Sequence, residues 1–258
     1  MAPANGKKRT MGQHEYSGDF YSYIDAGSRR SARIVAALLL QEMKIASLLD
    51  IGAGHGAWAA EWLAAGVMTV LAVDGDYVRP DQLAIPKSAF RAHDLAMPLD
   101  LKQRFDLVQS LEVAEHLPAD KAETFVDNVT GHGDVILFSA AVPNQGGEHH
   151  VNEQPPEYWR RKFAERGYAA FDFLRPRLAG RGEVMPWYRF NSYVYANQAG
   201  EKRLSKAVLD TRVPEGQALE IGGNLAWTLR RAAVRLIPPA LVKPIAMAKA
   251  SVEARWRR

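Results

Sequence analysis

A glycine-rich loop and two acidic residues form a pattern that could bind a nucleoside. The loop, Asp50-Ile-Gly52-Ala-Gly54-His-Gly56, alternates glycine with other residues directly after a short apolar run. The first glycine would permit a tight strand-to-helix turn, the second would let a ligand approach the backbone, and the third would open a helix. Asp74 and Asp94 end the next two apolar runs. A carboxylate at position 74 can accept hydrogen bonds from both hydroxyl groups of a ribose.

The spacing of this loop argues against a dinucleotide as its ligand. A pyrophosphate-binding turn follows the pattern G-x-G-x-x-G, whereas this loop reads G-x-G-x-G with Asp50 two residues before the first glycine. A carboxylate is a poor neighbour for a pyrophosphate. It suits a ligand that ends in a cationic amino acid.

Acidic and imidazole side chains follow two later apolar runs. Glu112-Val-Ala-Glu115-His116 follows one run, and His149 and His150 lie in a polar loop after the next. A neutral histidine can take the proton from an attacking hydroxyl near pH 7, so His149 and His150 are the favoured general bases and His116 is a rival. Carboxylates and imidazoles can also bind a divalent cation. The candidate ligands of that alternative site are Glu112, Glu115, His116 and His150.

The elements that must position these side chains alternate between strands and helices. Seven apolar runs are strand candidates, at 47–50, 68–74, 88–94, 105–111, 134–139, 170–174 and 192–196. Continuous rather than alternating apolar runs indicate a parallel sheet covered on both faces, so we predict an α/β fold. The last two runs are joined through glycines and prolines with no predicted helix, which favours an antiparallel hairpin at one edge. A first helix is predicted from Ser28, as its N-cap, to Lys44.

The composition excludes several classes of function. The chain has 258 residues and no cysteine, which excludes a disulfide scaffold, cysteine-ligated zinc, an iron–sulfur cluster and a thiol nucleophile. The longest apolar run, Ile34 to Leu40, is far shorter than the ~20 residues of a membrane span. Residues 1–12 are polar and basic, without the apolar segment of a secretory signal. We therefore expect a soluble cytoplasmic protein.

On the glycine loop and the acids that follow it, the chain resembles the class I S-adenosylmethionine (SAM)-dependent methyltransferases. The resemblance runs from about Ile34 to Asn197. It implies a Rossmann-like, seven-stranded, mostly parallel sheet with an antiparallel edge, SAM as the cofactor, and direct displacement at the sulfonium methyl group. The cofactor-binding residues that it implies are Asp50, Gly52, Gly54, Gly56, Asp74, Asp94, Leu95 and Ser110.

Three shorter stretches resemble bacterial methyltransferases of glycan and lipopolysaccharide biosynthesis. They are residues 23–31, 145–159 and 186–191. This resemblance implies O-methylation of a hydroxyl on a sugar, glycan or glycolipid precursor, with a small-molecule or glycan acceptor and a loop histidine as base. We expect catalysis without a metal.

Other readings stay open at this stage. The E-x-x-E-H set also resembles metal-assisted O-methyltransferases that act on quinone precursors or RNA 2′-hydroxyls. An N-methyltransferase acting on an amino sugar would need a carboxylate as base rather than a histidine. A SAM-binding protein without activity is a third reading, against which the intact loop argues. The chain up to residue 196 carries a net charge of −3, which argues against nucleic acid as a partner.

The C-terminal quarter differs in charge from the rest of the chain. Residues 197–258 contain twelve Lys and Arg against five Asp and Glu. Two basic, apolar helices are predicted, at 224–236 and 241–256, the first with an apolar stripe of Leu225, Leu229, Ala232 and Leu236. Such helices suit an anionic membrane at the inner face, a partner or second copy, or packing on the catalytic core. We divide the chain into an N-terminal arm or lid (1–30), a methyltransferase domain (31–197) and a basic helical extension (198–258).

Overall fold

A seven-stranded sheet forms the centre of the molecule. The computed structural model describes residues 18–236. In chain order the strands are β1 (Ser47–Ile51), β2 (Thr69–Asp74), β3 (Phe90–Ala92), β4 (Leu107–Leu111), β5 (Val135–Ser139), β6 (Ala169–Phe171) and β7 (Tyr193–Ala196). Their order across the sheet is β3-β2-β1-β4-β5-β7-β6. Neighbouring strands are parallel except that β7 runs antiparallel to both β5 and β6. The predicted mostly parallel α/β fold with an antiparallel edge is confirmed.

Helices connect and cover the strands. They are α1 (Gly18–Glu42), α2 (Ala57–Ala64), α3 (Ala122–Thr130), α4 (Pro156–Ala164), α5 (Leu174–Leu178), α6 (Pro186–Asn191), α7 (Gln198–Glu201), α8 (Lys206–Leu209) and α9 (Leu225–Arg235). Short 3₁₀ turns lie at Lys87–Ala89, Ala114–His116 and Ala119–Lys121. Among the residues described here, no helix is both long and apolar enough to cross a bilayer.

The first helix begins earlier than the sequence predicts. It starts at Gly18 rather than at Ser28, so Ser28 lies inside the helix and is not its N-cap. The Ser28 hydroxyl is buried and hydrogen-bonds to the Tyr188 hydroxyl at 3.1 Å. The predicted flexible residues 1–12 lie outside the described part of the chain. The lid role of residues 1–30 stays a prediction.

The edge hairpin also differs from its prediction. Helices α5 and α6 lie between β6 and β7, where no helix was predicted. Both helices are short. Because glycines and prolines interrupt this connection, its sequence does not show the periodicity from which the two helices could be predicted. The consequence is functional, because α6 presents its last residue, Asn191, to the carboxyl edge of β4 and β5, as described below.

Two apolar cores lie on opposite faces of the sheet. One includes α1, α2 and the α5–α6 segment, with the fully buried Trp62 near its centre. The other includes α3 and α4, with Phe125 and Trp159 among its buried side chains. Continuous apolar strands such as β5, in which every residue is buried, are what a sheet covered on both faces requires.

The basic helix α9 packs on the catalytic core by an unexpected face. The Asn224 side chain caps it by accepting a hydrogen bond from the Trp227 backbone N–H at 2.9 Å. Trp227 is buried, whereas the predicted stripe of Leu225, Leu229 and Leu236 is exposed. Of the alternatives left open, packing on the catalytic core is found for α9, but through Trp227 and not through these leucines. The second predicted helix, at 241–256, lies outside them.

A buried tryptophan gives a test of the fold. Trp62 donates its indole N–H to Gln109 Oε1 at 2.7 Å, and both side chains are fully buried. Replacement by phenylalanine leaves this oxygen without its donor, so Trp62→Phe should lower the free energy of unfolding by about 1–3 kcal/mol. Urea denaturation followed by circular dichroism measures the change. Met68→Ala, at an exposed residue, is the control and should stay within about 0.5 kcal/mol of the parent. An equal stability of Trp62→Phe and the parent would contradict the assigned hydrogen bond.

Candidate active site

The glycine loop lies where β1 and β4 are neighbours and the order of the strands reverses. Ligands of such sheets bind beyond the carboxyl ends of the strands at this point. Gly52 has φ +82°, and a Cβ atom there would lie 2.3 Å from Val113 Cγ2, so no side chain fits. Gly54 has φ +54° and no heavy atom within 4 Å of its Cβ position. The loop is therefore closed on the Val113 side and open to a ligand at Gly54.

Asp50 is buried at the base of this loop. One of its carboxylate oxygens, Oδ2, has no hydrogen-bond partner among the described residues. Burial raises the pKa of Asp50 to about 7, with the nearby Asp74 charge also acting to raise it. A buried carboxylate in this state gains from a cationic ligand, because the cation offsets the lost hydration. This fits the cationic amino-acid end of SAM.

Asp74 is buried at the end of β2 and tied to the glycine loop. Its carboxylate accepts hydrogen bonds from the backbone N–H of Gly54 at 2.6 Å, that of Gly75 at 2.7 Å, and the Tyr77 hydroxyl. Burial raises its pKa, while these donors act to lower it. A ribose at Asp74 would compete with Tyr77 for the same carboxylate. Tyr77 is 72% exposed and can turn toward solvent.

The other residues implied for cofactor binding have separate surroundings. Asp94 is exposed and accepts a hydrogen bond from the Ala96 backbone N–H, while Leu95 is buried in the core below β3. Ser110 is fully buried and donates its hydroxyl to the Ile51 carbonyl at 2.8 Å. The Ser110 hydroxyl therefore joins β4 to β1. The assignment of all these residues to the cofactor stays a prediction.

Glu112 follows β4 directly and receives amide donors from two other segments. Gln145 Nε2 donates to it at 2.5 Å and Asn191 Nδ2 at 3.2 Å. Its φ is +57°, an uncommon value outside glycine. Burial raises its pKa despite these hydrogen bonds. Gln145 and Asn191 were not predicted as site residues, and only the connection of β5 and α6 to one edge of the sheet reveals them.

Glu115 has the fewest hydrogen-bond partners of the buried carboxylates among the described residues. It is fully buried, and neither of its side-chain oxygens makes a hydrogen bond of good geometry in the described chain, although the backbone N–H groups of Glu115 and Ala141 lie near enough to act to lower its pKa. Burial first, and then the charge of Glu112, raise its pKa well above the usual range. A buried carboxylate of this kind is costly unless a donor or cation approaches it.

Two histidines meet Glu115 at this edge. Ligand atoms of Glu115, His116 and His150 all lie within 4.8 Å of one another, and we call these residues the Glu–His–His cluster. The imidazoles of His116 and His150 meet edge to face, with ring centroids 5.0 Å apart. His116 is partly exposed, but the partial removal of its imidazole from water, followed by the neighbouring His150, lowers its pKa to about 4. Of the predicted ligands and bases, Glu112 and the exposed His149 are not part of this cluster.

Glu153 orients the second imidazole of the cluster. Its Oε1 lies 2.9 Å from His150 Nδ1 and also accepts the backbone N–H of Gly146 at 2.8 Å. Burial acts to raise the pKa of Glu153, but these hydrogen bonds outweigh it and lower the pKa. An ionised Glu153 accepts from His150 Nδ1–H and so turns Nε2 toward Glu115, whose Oε1 lies 3.9 Å away.

Helix α9 holds the turn that carries Gln145. Arg230 donates to the Gln145 carbonyl at 2.6 Å, and Arg231 donates to the Pro143 carbonyl at 2.8 Å. The buried Trp227 packs against Phe190 of α6, with ring centroids 5.8 Å apart. The C-terminal helix thus contacts both segments that supply amide donors to Glu112. We define residues 143–154 as the acceptor loop.

Comparison with known proteins agrees with this geometry. Residues 23–127 match a family model described as a methyltransferase domain. The comparison with curated proteins gave no match. Of the solved structures, DesVI from Streptomyces venezuelae is 12% identical, with a TM-score of 0.53 over 72% of this chain and 100% of that one.

Two further solved structures are of sugar methyltransferases. SAM-bound CalS10, an amino pentose methyltransferase from Micromonospora echinaspora, is 17% identical over 73% of this chain and 100% of that one, with a TM-score of 0.51. KedS8, a sugar N-methyltransferase from Streptoalloteichus sp ATCC 53650, is 15% identical over 76% and 98%, with a TM-score of 0.50. At these identities the likeness shows a shared fold. Together with the match over residues 23–127, it shows that the chain contains a methyltransferase domain with a Rossmann-like fold, and the loop at Asp50 and Gly54 fits SAM as its cofactor.

Proposed function

We propose that this enzyme methylates a hydroxyl group of a sugar or glycan, and that a divalent cation held by the Glu–His–His cluster assists it. The observation that carries the proposal is the fully buried Glu115 carboxylate, unpartnered among the described residues and within 4.8 Å of two imidazoles. A hydroxyl is a weak nucleophile until its proton is removed, so an O-methyltransferase needs a group of this kind at its acceptor.

The donor set of the cluster fits a cation better than it fits a histidine base alone. A base needs one oriented imidazole, which His150 and Glu153 already form, and it leaves Glu115 unexplained. The 3.9 Å between Glu115 Oε1 and His150 Nε2 is too long for a hydrogen bond. Two tetrahedral ligands that each lie about 2.1 Å from one ion are about 3.4 Å apart, so a movement of about 0.5 Å would bring these two atoms to that spacing. When bound, the cation would supply a Lewis acid that lowers the pKa of an acceptor hydroxyl.

The chain's own residues would place the two substrates. SAM supplies the methyl group by displacement at its sulfonium, which requires an acceptor in line with it. Asp74 and the loop at Gly54 would hold the nucleoside. Val113, pressed against Gly52, connects this loop to the segment that carries Glu112 and the Glu–His–His cluster. The amides of Gln145 and Asn191 hold the Glu112 carboxylate in place by hydrogen bonds.

The sugar part of the proposal is supported by the resemblance of three sequence stretches to glycan methyltransferases and by the titles of two structural neighbours. One of these neighbours is an amino pentose methyltransferase and the other a sugar N-methyltransferase, which raises N-methylation as a second candidate. Glu112 is the observation that favours it. A half-buried carboxylate directly after β4, with a raised pKa, could accept a proton from a sugar ammonium group.

The cofactor assignment makes the first functional prediction. Asp74→Ala removes charge-assisted hydrogen bonds worth roughly 1.5–3 kcal/mol, so it should weaken SAM binding about tenfold or more. Tyr77→Phe removes a competing donor to the same carboxylate and should bind SAM as tightly as the parent or more tightly. Calorimetric titration with SAM measures both variants, and Asp81→Asn, at an exposed carboxylate, is the control. Unchanged affinity in Asp74→Ala would contradict the ribose assignment.

The cation makes the second functional prediction. Mn²⁺ and Zn²⁺ should bind the enzyme and raise its melting temperature, because a ligand that binds only the folded state stabilises it. Glu115→Gln should weaken this binding at least about 100-fold, since it removes a ligand rather than a supporting contact. Calorimetry and thermal melting measure the effect without any acceptor. Methyl transfer should fall with EDTA and recover on addition of Mn²⁺.

Two controls sharpen that test. Glu148→Gln changes a carboxyl group in the same loop that is not part of the cluster, and it should bind Mn²⁺ like the parent. His116→Ala should lose cation binding as Glu115→Gln does. If neither cation binds and EDTA leaves methyl transfer unchanged, the proposal of a cation is wrong.

The two loop histidines make a third functional prediction. His150→Ala should lower turnover about 10²–10⁴-fold, because it removes an oriented imidazole at the acceptor. His149→Ala should stay near the parent, since His149 is exposed and outside the cluster. Initial rates with a panel of hydroxyl and amino sugars, at saturating SAM, measure both. Full activity of His150→Ala together with loss of activity in Glu112→Gln on amino sugars would favour N-methylation instead.

A further inference from the structure

The outer face of α9 is apolar although it is exposed. We define this face as Leu225, Leu229, Ala232 and Leu236, which lie on one side of the helix at i, i+4, i+7 and i+11. The three leucines are 74%, 60% and 84% exposed. Three large apolar side chains in one row on a surface helix indicate an interaction surface rather than chance exposure.

The helix that carries this face is basic and is followed by a basic sequence. Helix α9 contains no acidic residue, and Arg235 is its one arginine that does not bind the loop at residues 143–145. From Asn224 to the end of the chain, eight Lys and Arg stand against the single acid Glu253. An apolar stripe in a basic segment without acids is the composition of helices that lie in the interface of an anionic bilayer. A symmetric contact between two copies would bring these like charges together.

The opposite face of the same helix holds the acceptor side of the active site. Arg230 and Arg231 donate to the carbonyls of Gln145 and Pro143 in the acceptor loop, and the buried Trp227 packs on α6. A surface bound to the outer face would therefore lie one helix away from the acceptor loop. Docking and acceptor placement would be linked through a single rigid element.

We propose that the outer face of α9 docks the enzyme on an anionic lipid bilayer and that the methyl acceptor is a lipid-linked sugar presented at that surface. The second part rests on the proposed function, whereas the docking does not. The leucines enter the boundary between headgroups and acyl chains, and Arg235 remains at the phosphates. Binding is weak, reversible and sensitive to salt, because it joins a small apolar area to screened charge.

Vesicle sedimentation of the full chain tests the docking. The enzyme should sediment with vesicles of phosphatidylcholine and phosphatidylglycerol at about 0.05 M salt, and not with phosphatidylcholine alone, and it should be released at about 0.5 M salt. The variant Leu225→Ser, Leu229→Ser, Leu236→Ser should partition at least tenfold less. Met68→Ser, at an 81% exposed residue elsewhere, should partition like the parent. Arg235→Glu should weaken binding at low salt.

Other occupants of the face give different results. If the triple variant binds vesicles as the parent does, the proposal is overturned. The proposal is also overturned if the parent does not bind vesicles and the triple variant melts at a lower temperature than the parent. That result would show that another part of this chain covers the outer face of α9. A concentration-dependent dimer that the triple variant abolishes, with no vesicle binding by the parent, would assign the face to a second copy.

The same variants separate docking from function. The triple variant should keep the SAM and Mn²⁺ affinities of the parent and its rate on a water-soluble sugar. Its rate on a lipid-linked sugar in anionic vesicles should fall at least tenfold. Equal rates of parent and variant on the vesicle substrate would overturn the lipid-linked acceptor while leaving the docking in place. Vesicle binding without methyl transfer to any hydroxyl would overturn the proposed function and leave the docking intact.

Discussion

The carboxyl edge of the sheet carries four acids that have little or no contact with water, and the rest of the site depends on them. Asp50, Asp74 and Glu115 are buried, and burial is the first cause of the raised pKa of each. Glu112 has the same first cause. Taking a carboxylate out of water costs several kcal/mol unless donors or cations replace its hydration. This edge is stable only with such partners, some from the chain and some from ligands.

The chain supplies partners to two of these acids and leaves two short of them. Asp74 receives backbone N–H groups from the glycine loop, and Glu112 receives side-chain amides from Gln145 and Asn191. Asp50 keeps one oxygen unpartnered among the described residues, and Glu115 keeps both. The unsatisfied oxygens lie in the two places where a positively charged ligand is expected, the SAM side and the acceptor side. A net attraction for cationic ligands is therefore built into the fold.

The supports of this edge come from distant parts of the chain. Asn191 closes α6, which lies on the connection between the two antiparallel strands. Arg230 and Arg231 come from the C-terminal helix and hold the acceptor loop by its carbonyls rather than by its side chains. Contacts to backbone carbonyls place few demands on the loop's sequence, so its side chains are free of α9 and bond within the site, as Gln145 does with Glu112 and Glu153 with His150.

The sequence alone determined the strands, their parallel arrangement and the nucleoside loop, because these follow from local patterns. A buried parallel strand needs a continuous apolar run, and a turn as tight as the one at Gly52 needs a residue without a side chain. Tertiary structure decided which candidates meet. The sequence ranked His149 with His150, yet a positive φ at His149 leaves it exposed while His150 turns toward Glu115. It left open whether α9 packs on the core, and in the structure Trp227 with Arg230 and Arg231 packs there, since the neighbouring surface offers carbonyl oxygens and an aromatic ring. Helical periodicity predicts that a helix has two faces, and only the surface against which it packs determines which face is buried.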